Sequence, residues 1–295
     1  MAGLANFQAF TNLAVALTAL WEKKVINTAA VAPLFNVKTS TGATERTKGL
    51  GKMGLVPEYN GSIEYDEVDP LDLATYTHKE YARGIRIARK LLDDAEYGLI
   101  ESMTVENAEG FSRTQSNHMV SVFNNAFSSS YTGPDGKALC ATNHSSGTKP
   151  SFNNKGTSAL THDNVVATRQ LMRRFKDEAG NTIAVNPNIL VVPTELEATA
   201  FEITQSVGRS DNANNAANAN SKMNYIVEPL LSDANNWFMV DSTLASMYLR
   251  WFWRVQPEFL ADPKSDFDLE LRMRGYMRYV FGWDTHIWVY GHEVA

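Results

Sequence analysis

The sequence predicts an α+β protein, and three stretches carry the prediction. Between residues 93 and 127, apolar residues recur at helical spacing with no proline, which indicates one long helix. Residues 189–192 form a short apolar run that Pro193 ends, and a helical pattern follows to about residue 205. Residues 268–290 are nearly all strand formers, with apolar and charged side chains alternating at first. Helical and strand segments are therefore both substantial.

Composition limits the classes of function. The chain has 295 residues, 44% of them hydrophobic, and a net charge of -6. That length favours two lobes, and the negative charge argues against a protein that wraps nucleic acid tightly. The single cysteine, Cys140, excludes an internal disulfide and a cysteine-based zinc cluster. The apolar run at residues 13–20 is too short to cross a bilayer, so we expect no membrane span and no secretion signal.

The long helix is the element around which we expect the fold to be organised. Asp93 and Asp94 stand where a helix N-terminus favours negative charge. At about 1.5 Å per residue, some 35 residues make a rod of roughly 50 Å. Its apolar stripe is narrow, so we expect a sheet on one side and other chains along its length.

In residues 36–69, unlike in the long helix, glycines separate short apolar runs. Asn60-Gly61 is a strong turn signal, so this stretch predicts a long hairpin that carries Arg46, Lys48 and Lys52. An isolated two-stranded hairpin is marginal in water. The excursion is therefore either mobile or packed on something else, and a disordered loop is the competing interpretation.

Residues 72–90 alternate as a strand does and end in a basic cluster of Arg83, Arg86, Arg89 and Lys90. One hypothesis is contact with phosphates or with an acidic neighbouring chain. The other is a solvated face with local ion pairs, each worth roughly 0–1 kcal/mol.

The second half predicts short elements in close succession. Pro134-Asp135-Gly136 predicts a turn, and residues 162–176 predict a helix. Thr194 with Glu197 predicts a capping box that starts the helix after Pro193. The asparagine- and alanine-rich tract at 211–222 predicts an exposed mobile loop. Residues 225–227, 237–240 and 247–255 predict further strands, with Trp251 and Trp253 on one face and Phe252 on the other.

No motif predicts a reaction centre. The six histidines include no pair at metal-ligand spacing, and no HExxH, GxSxG, GxGxxG or P-loop pattern occurs. Cys140 and His144 could form a thiol–imidazole pair, but a buried thiol beside a loop histidine explains them better. Asp93, Asp94 and Glu96 are explained by a helix N-terminus. We therefore expect no catalytic residue, no cofactor and no metal, and no enzyme activity.

The order of these parts resembles a known family. GPDGKALCATNH, NPNILVVPTELEATAFEI and NWFMVD follow the glycine-rich hairpin, basic strand and long helix, and an aromatic strand-rich end closes the chain. This order is similar to that of tailed-phage major capsid proteins of the HK97-like fold, including the Mu-like head subunits. The resemblance covers nearly the whole chain and rests on order and spacing.

The resemblance implies a division of the chain. Residues 1–35 would be an N-terminal arm, 36–71 an extended β-hairpin loop, and 72–178 a peripheral domain with a spine helix at 93–127. Residues 179–249 would form the axial domain, and 250–295 would be strands returning to the peripheral domain. Contacts between subunits would then involve Arg46, Lys48, Lys52, Tyr59, Arg83, Arg86 and Arg89.

The resemblance also implies a function. The subunit would assemble as hexamers and pentamers into an icosahedral shell around phage double-stranded DNA, held near the inner face without sequence specificity. Partners would be a separate scaffolding protein, a portal and a decoration protein, with assembly in the host cytoplasm. Some members cross-link the extended loop through a lysine–asparagine bond, but no partner for Lys48 or Lys52 can be matched. An encapsulin-like shell, another particle component and a soluble α/β enzyme remain alternatives.

Overall fold

A computed structural model describes residues 2–26, 28–50, 56, 58–61, 63, 65, 70–144, 152–177, 180–209, 217–261 and 270–295. Its α-helices are α1 (Ala2–Lys24), α2 (Arg89–Asp93), α3 (Tyr97–Asn124), α4 (His162–Met172), α5 (Glu197–Gln205) and α6 (Ser242–Tyr248). Its strands are β1 (Asn36–Thr39), β2 (Thr44–Leu50), β3 (Pro70–Thr77), β4 (Lys79–Ala88), β5 (Lys155–Gly156), β6 (Ile189–Val192), β7 (Asn224–Val227), β8 (Trp237–Val240), β9 (Leu249–Ala261), β10 (Glu270–Trp283) and β11 (Val289–His292). No helix in the described part is long and apolar enough to cross a membrane.

A four-stranded sheet with the order β1-β9-β10-β4 forms one half of the fold. The two long strands at its centre are antiparallel, β4 pairs antiparallel with β10, and β1 runs parallel to β9. Because side chains alternate along a strand, Trp251 and Phe252 enter different clusters on opposite faces of the sheet. The alternation predicted for the C-terminal strands is confirmed.

A five-stranded sheet with the order β5-β11-β8-β6-β7 forms the other half. Val191 and Val240 belong to the same cluster as buried residues of α3, whereas Leu190 and Met239 pack with α4 and α5. Alternation therefore gives this sheet two buried faces. The predicted strand at 189–192 and the predicted strands at 225–227 and 237–240 are confirmed.

Helix α3 lies in the central core, and α1 of the same chain packs along it. Trp21 of α1 is fully buried, donates from Nε1 to Oδ1 of Asn107 at 2.8 Å, and meets Phe111 edge-to-face. The expectation that this helix needs other chains along its length is therefore wrong for the α1-covered part. The polar Asn107 and Gln115 are buried with it, because partners within the chain satisfy them.

The start of the long helix also differs from the prediction of one rod over 93–127. Asp93 ends α2, Ala95 takes a positive φ of 56°, and α3 begins at Tyr97 after Glu96 without a side-chain cap. A left-handed residue cannot continue a helix. Asp93 and Asp94 therefore do not cap the long helix, and its apolar stripe begins at Ile100, since Leu99 is exposed.

One further local prediction fails. No side-chain cap forms at Thr194, where a 3-10 turn (Thr194–Leu196) precedes α5, so the capping box is wrong. In α5, Ala200 and Ile203 are buried and Phe201 is exposed. Tertiary packing, rather than local capping, sets the start of this helix.

The asparagine-rich tract is only partly the exposed loop that was predicted. Residues 211–216 lie outside the described residues. Asn218 and Asn220 are buried, and the Asn218 amide donates to the carbonyls of Ile203 and Ser206 at 2.7 and 2.9 Å. A polar side chain can be buried when its hydrogen bonds are made, and this asparagine closes the end of α5.

Candidate inter-subunit surface

The β2–β3 ribbon forms a two-stranded sheet of its own. Its second strand, β3, runs to Thr77 and so lies beyond the predicted hairpin at 36–69, in the stretch that was predicted to form a separate strand. The two faces of the ribbon differ. Ala74 and Tyr76 are buried against Phe252 of β9. The opposite face is exposed and carries Arg46, opposite Thr75, and Lys48, opposite Leu73. The predicted basic residues therefore lie side by side on the free face of the ribbon.

Tyr76 fastens the ribbon to the four-stranded sheet. Its hydroxyl donates to Oδ1 of Asp284 at 2.6 Å, and the second carboxylate oxygen accepts from Nε of Arg250 at 2.7 Å. Burial, with Asp284 beside it, raises the pKa of the Tyr76 phenol well above its usual range. The phenol therefore stays protonated and acts as a hydrogen-bond donor.

A second polar cluster lies where the chain enters and leaves the ribbon. The hydroxyl of Ser40, just after β1, donates to Oε1 of Glu45. It also lies 2.9 Å from Nε2 of His78, the residue that separates β3 from β4. The carbonyl of Ser40 accepts from Nη1 of Arg254 at 3.3 Å. Burial, Arg278 and Arg254 together lower the pKa of His78 despite the nearby carboxylate of Glu45. A neutral His78 thus ties both ends of the ribbon together.

The far end of the ribbon is described only in part. Tyr59 is 73% exposed, and the large side chains Val56, Ile63 and Tyr65 are also exposed. Gly61 has a φ of 103°, which suits the turn predicted for Asn60-Gly61. Lys52 lies outside the described residues. The exposed apolar and aromatic side chains give this end the composition of a contact surface.

The three arginines of the predicted basic cluster do not share one face. Residues 83 and 86 are on opposite faces of β4 because side chains alternate, and Nη1 of Arg83 lies over Gly110 of α3. Arg89 belongs to α2, where its Nε lies 3.5 Å from Asp93 in an exposed i,i+4 pair. Both Arg83 and Arg86 are exposed. A role for these arginines in subunit contacts stays a prediction.

A third polar group, which no spacing in the sequence reveals, joins Asp135, His144 and His286. Nδ1 of His144 lies 2.5 Å from Oδ2 of Asp135, and Nδ1 of His286 lies 3.7 Å from the same oxygen. The two imidazoles stack with centroids 3.5 Å apart and planes 13° from parallel. The turn predicted at Pro134-Asp135-Gly136 presents the carboxylate, but His286 is brought in by the C-terminal connection.

These three side chains have the donor types of a metal site, and their nearest ligand atoms lie within 4.8 Å of one another. The stacking argues against an ion, because the in-plane lone pairs of two nearly parallel rings do not converge on one point. The 2.5 Å gap between His144 and Asp135 fits a proton instead. Cys140 is fully buried, and burial raises the pKa of its thiol. His144 faces Asp135, so the thiol–imidazole pair does not form.

Comparison with known proteins gives the family of this chain. A family model described as phage capsid protein matches residues 72–290, which is well over half of the chain. The chain belongs to the phage capsid protein family. No curated protein matches the chain significantly in sequence.

Solved structures agree with this membership at the level of the fold. The capsid protein of an empty GTA particle is 15% identical with a TM-score of 0.59, over 92% of this chain and 91% of that one. A virus-like particle protein from Pyrococcus furiosus is 11% identical with a TM-score of 0.55, over 94% and 98%. The capsid protein of bacteriophage JBD30 is 15% identical with a TM-score of 0.56, over 70% and 92%. The capsid protein has the HK97-like α+β fold that the resemblance implied, and it is a major capsid protein.

Proposed function

We propose that this capsid protein is the repeating subunit of an icosahedral phage head, in which hexamers and pentamers enclose double-stranded DNA. The observation that carries the proposal is the β2–β3 ribbon. It is fastened to its own subunit at one end by Tyr76 and exposes Arg46, Lys48 and the aromatic Tyr59 beyond that attachment. The exposed face of the ribbon would be covered if the ribbon lay on a neighbouring copy of the subunit.

We propose the division of the chain into domains that the resemblance implied. Residues 36–71 would be the extended loop, 72–178 the peripheral domain, 179–249 the axial domain, and 250–295 the returning strands. Strand β1 (Asn36–Thr39) pairs with β9 in the four-stranded sheet, so the free part of the loop begins after Ser40. Residues 1–35 would be the arm, but α1 is already packed on α3 of its own chain. The ribbon therefore carries more of the inter-subunit contact than the arm does.

Such weak contacts would be sufficient to hold a shell together because the shell repeats them many times. Exposed ion pairs are individually worth roughly 0–1 kcal/mol, but a closed shell engages many at once, which raises the overall avidity. The net charge of -6 suits a wall that encloses DNA without binding it tightly. A scaffolding protein, a portal, a decoration protein and assembly in the host cytoplasm complete the proposal. The enzyme and encapsulin-like alternatives are not favoured by the family match.

Shortening the ribbon tests the proposal. Residues 51–69 are replaced by Asn-Gly, which suits a tight hairpin, while β2, β3 and the Tyr76 attachment stay in place. We expect a soluble subunit with wild-type circular dichroism that forms no closed shells by negative-stain microscopy. Normal shells from this variant would overturn the role given to the ribbon.

A charge variant makes the test sharper. Arg46→Glu with Lys48→Glu reverses the free face of the ribbon without shortening it, and we expect the yield of shells to fall at low salt. Lys176→Glu, at an exposed position between α4 and β6, is the matched control and should assemble normally. Equal yields from both variants would show that these two charges make no contact between subunits.

A further inference from the structure

The turn at the far end of the ribbon contains the one Asn-Gly pair of the sequence, Asn60-Gly61. Asn60 is exposed, and a Cβ added to Gly61 would meet nothing within 4 Å. Neither the amide of Asn60 nor the N–H of Gly61 forms a hydrogen bond with the part of the chain that the structure describes. Among those residues, nothing therefore restrains this pair or shields it from solvent.

An exposed asparagine that precedes glycine can react with its own backbone, because asparagine is one of the chemically labile residues. The backbone nitrogen of the following residue attacks Cγ of the asparagine side chain. The attack requires that this nitrogen is free of other hydrogen bonds and that the turn can change shape. A side chain on the following residue hinders the approach, and glycine has none. Asn60-Gly61 meets each of these conditions.

A comparable pair elsewhere in the chain, Asn220-Ser221, is protected by the fold. Asn220 is only 1% exposed, so its side chain is enclosed by the residues around it. The N–H of Ser221, which would have to attack, donates to the carbonyl of Asn218 at 3.4 Å. Local structure therefore separates a reactive asparagine at the ribbon end from a protected one in the body of the subunit.

The reaction balances with water as its only co-reactant. The nitrogen of Gly61 loses its proton and bonds to Cγ of Asn60, while the bond from Cγ to the amide nitrogen breaks and ammonia leaves with that proton. The product is a succinimide ring. Water then opens the ring by breaking the bond from its nitrogen to Cγ, which gives aspartate, or to the backbone carbonyl carbon, which gives isoaspartate. No atom is oxidised or reduced.

We propose that Asn60 is a site of spontaneous modification, at which the free subunit converts the amide to aspartate and isoaspartate through a succinimide. The step goes beyond the shell-forming role and needs no other protein. Either product adds a negative charge to residues 58–72, which already include six acidic residues and no lysine or arginine. Isoaspartate also adds a carbon atom to the backbone, so it changes the turn in which Gly61 takes a φ of 103°.

The consequence for assembly, unlike the chemical step, rests on the proposed function. If the far end of the ribbon lies on a neighbouring copy, the turn is held in a shell and free in a separate subunit. Ring closure needs the turn to change shape, so a neighbour that holds it should slow the reaction. The modification would then accumulate in subunits outside a shell, where the added charge and the altered turn would weaken the ribbon as a contact.

Peptide mapping by mass spectrometry tests the chemical step on the full-length, unassembled subunit, which is incubated at pH 8.5 in buffer or in urea. We expect Asn60 to convert at rates that differ by less than about threefold between the two, because no local opening is needed. Asn220 is the internal control and should convert at least about tenfold more slowly in buffer than in urea, because its buried segment must first open. Asn60→Gln should abolish the modification at this position. No conversion of Asn60, or a rate in buffer that is lower than in urea by about threefold or more, would overturn the proposal, because the fold would then protect the site.

Assembled shells supply the test of the consequence. Shells and free subunits are incubated side by side, and we expect Asn60 to convert more slowly in the shells. Asn60→Asp should lower the yield of shells, whereas Asn235→Asp, which adds the same charge at an exposed position between β7 and β8, is the matched control and should assemble normally. Equal conversion in shells and free subunits would show that no neighbour holds this end of the ribbon, and the comparison with urea would still decide the chemical step.

Discussion

The hydroxyl of Tyr76 and the carboxylate of Asp284 meet at 2.6 Å across 208 positions of sequence. This contact is the point at which the exposed ribbon is attached to the end of the four-stranded sheet. Asp284 is also held by Arg250, so the carboxylate stays fixed even when the tyrosine is changed. Attachment of the ribbon can therefore be weakened without disturbing the rest of the sheet.

Tyr76→Phe removes this bond and keeps the ring packed on Phe252. We expect a loss of about 1–2 kcal/mol in the free energy of unfolding, because a buried hydrogen bond to a charged group is lost while Arg250 remains. Urea unfolding monitored by fluorescence gives the value. Tyr65→Phe, at an exposed position, is the control and should change stability by less than about 0.5 kcal/mol. A loss below that limit for Tyr76→Phe would mean that the hydroxyl does not fasten the ribbon.

Gly275→Ala tests the packing of the helices on the four-stranded sheet. A Cβ at this position would lie 2.6 Å from the ring of Phe111 and 3.1 Å from Trp21, and overpacking a core costs typically 1–3 kcal/mol. We expect a loss in that range, measured by chemical denaturation. Gly98→Ala places a methyl group in open space in the first turn of α3. It should leave stability unchanged or raise it by up to about 1 kcal/mol, and equal effects of the two changes would contradict the packing described.

Trp21→Ala tests whether α1 belongs to the fold of its own subunit. The side chain is fully buried, stacks on Phe259 and donates to Asn107, so we expect a loss of about 3–5 kcal/mol. The measurement is made on the unassembled subunit, where contacts between copies cannot contribute. Val15→Ala on the exposed side of the same helix is the control. A small loss for Trp21→Ala in the free subunit would place this helix on a neighbouring copy instead.

His292→Gln should flatten the acid side of the stability profile. Burial lowers the pKa of His292 to about 4, where its Nδ1 accepts from the N–H of Ser158 and Nε2 donates to Thr168. The unfolded chain binds this proton near pH 6.5, so stability is complete above that pH and falls as the pH drops toward 4. The fall attributable to this histidine is about 3 kcal/mol.

Unfolding measured from pH 7.5 to pH 4 in both proteins gives the comparison. The difference in slope between the wild type and the glutamine variant isolates the contribution of His292, because His286 titrates in both. Parallel profiles would mean that this proton is not excluded by the fold.

The parts of the fold that could be predicted from the sequence are the elements with a local residue pattern. Alternation placed Trp251 and Phe252 on opposite faces, and the short apolar run before Pro193 marked a core strand. The failures lie at the starts of two helices, where tertiary packing overrides the local signal. Asp93 and Asp94 looked like a cap until Ala95 broke the helix, and Thr194 lacked the capping bond that its spacing suggested.

The candidate surface was predicted in part. Arg46 and Lys48 lie together because a two-residue spacing in a strand is sufficient to predict a shared face. Arg83, Arg86 and Arg89 were grouped by density alone, and a strand followed by a helix separates them. The His144 group was not predicted because 142 positions separate His144 from His286, and no local spacing encodes a pairing of that length.

The docking of α1 on α3 has a consequence for the order of events in particle formation. A subunit whose central helix is already covered by its own N-terminal segment reaches its final core before it meets another copy. Joining the proposed lattice would then add surface without building a core, and we expect free subunits to be folded before assembly. In the proposed shell the ribbon is the segment that still needs a neighbour, so we expect its exposed end, around Tyr59 and Tyr65, to be cleaved first in subunits left outside a shell.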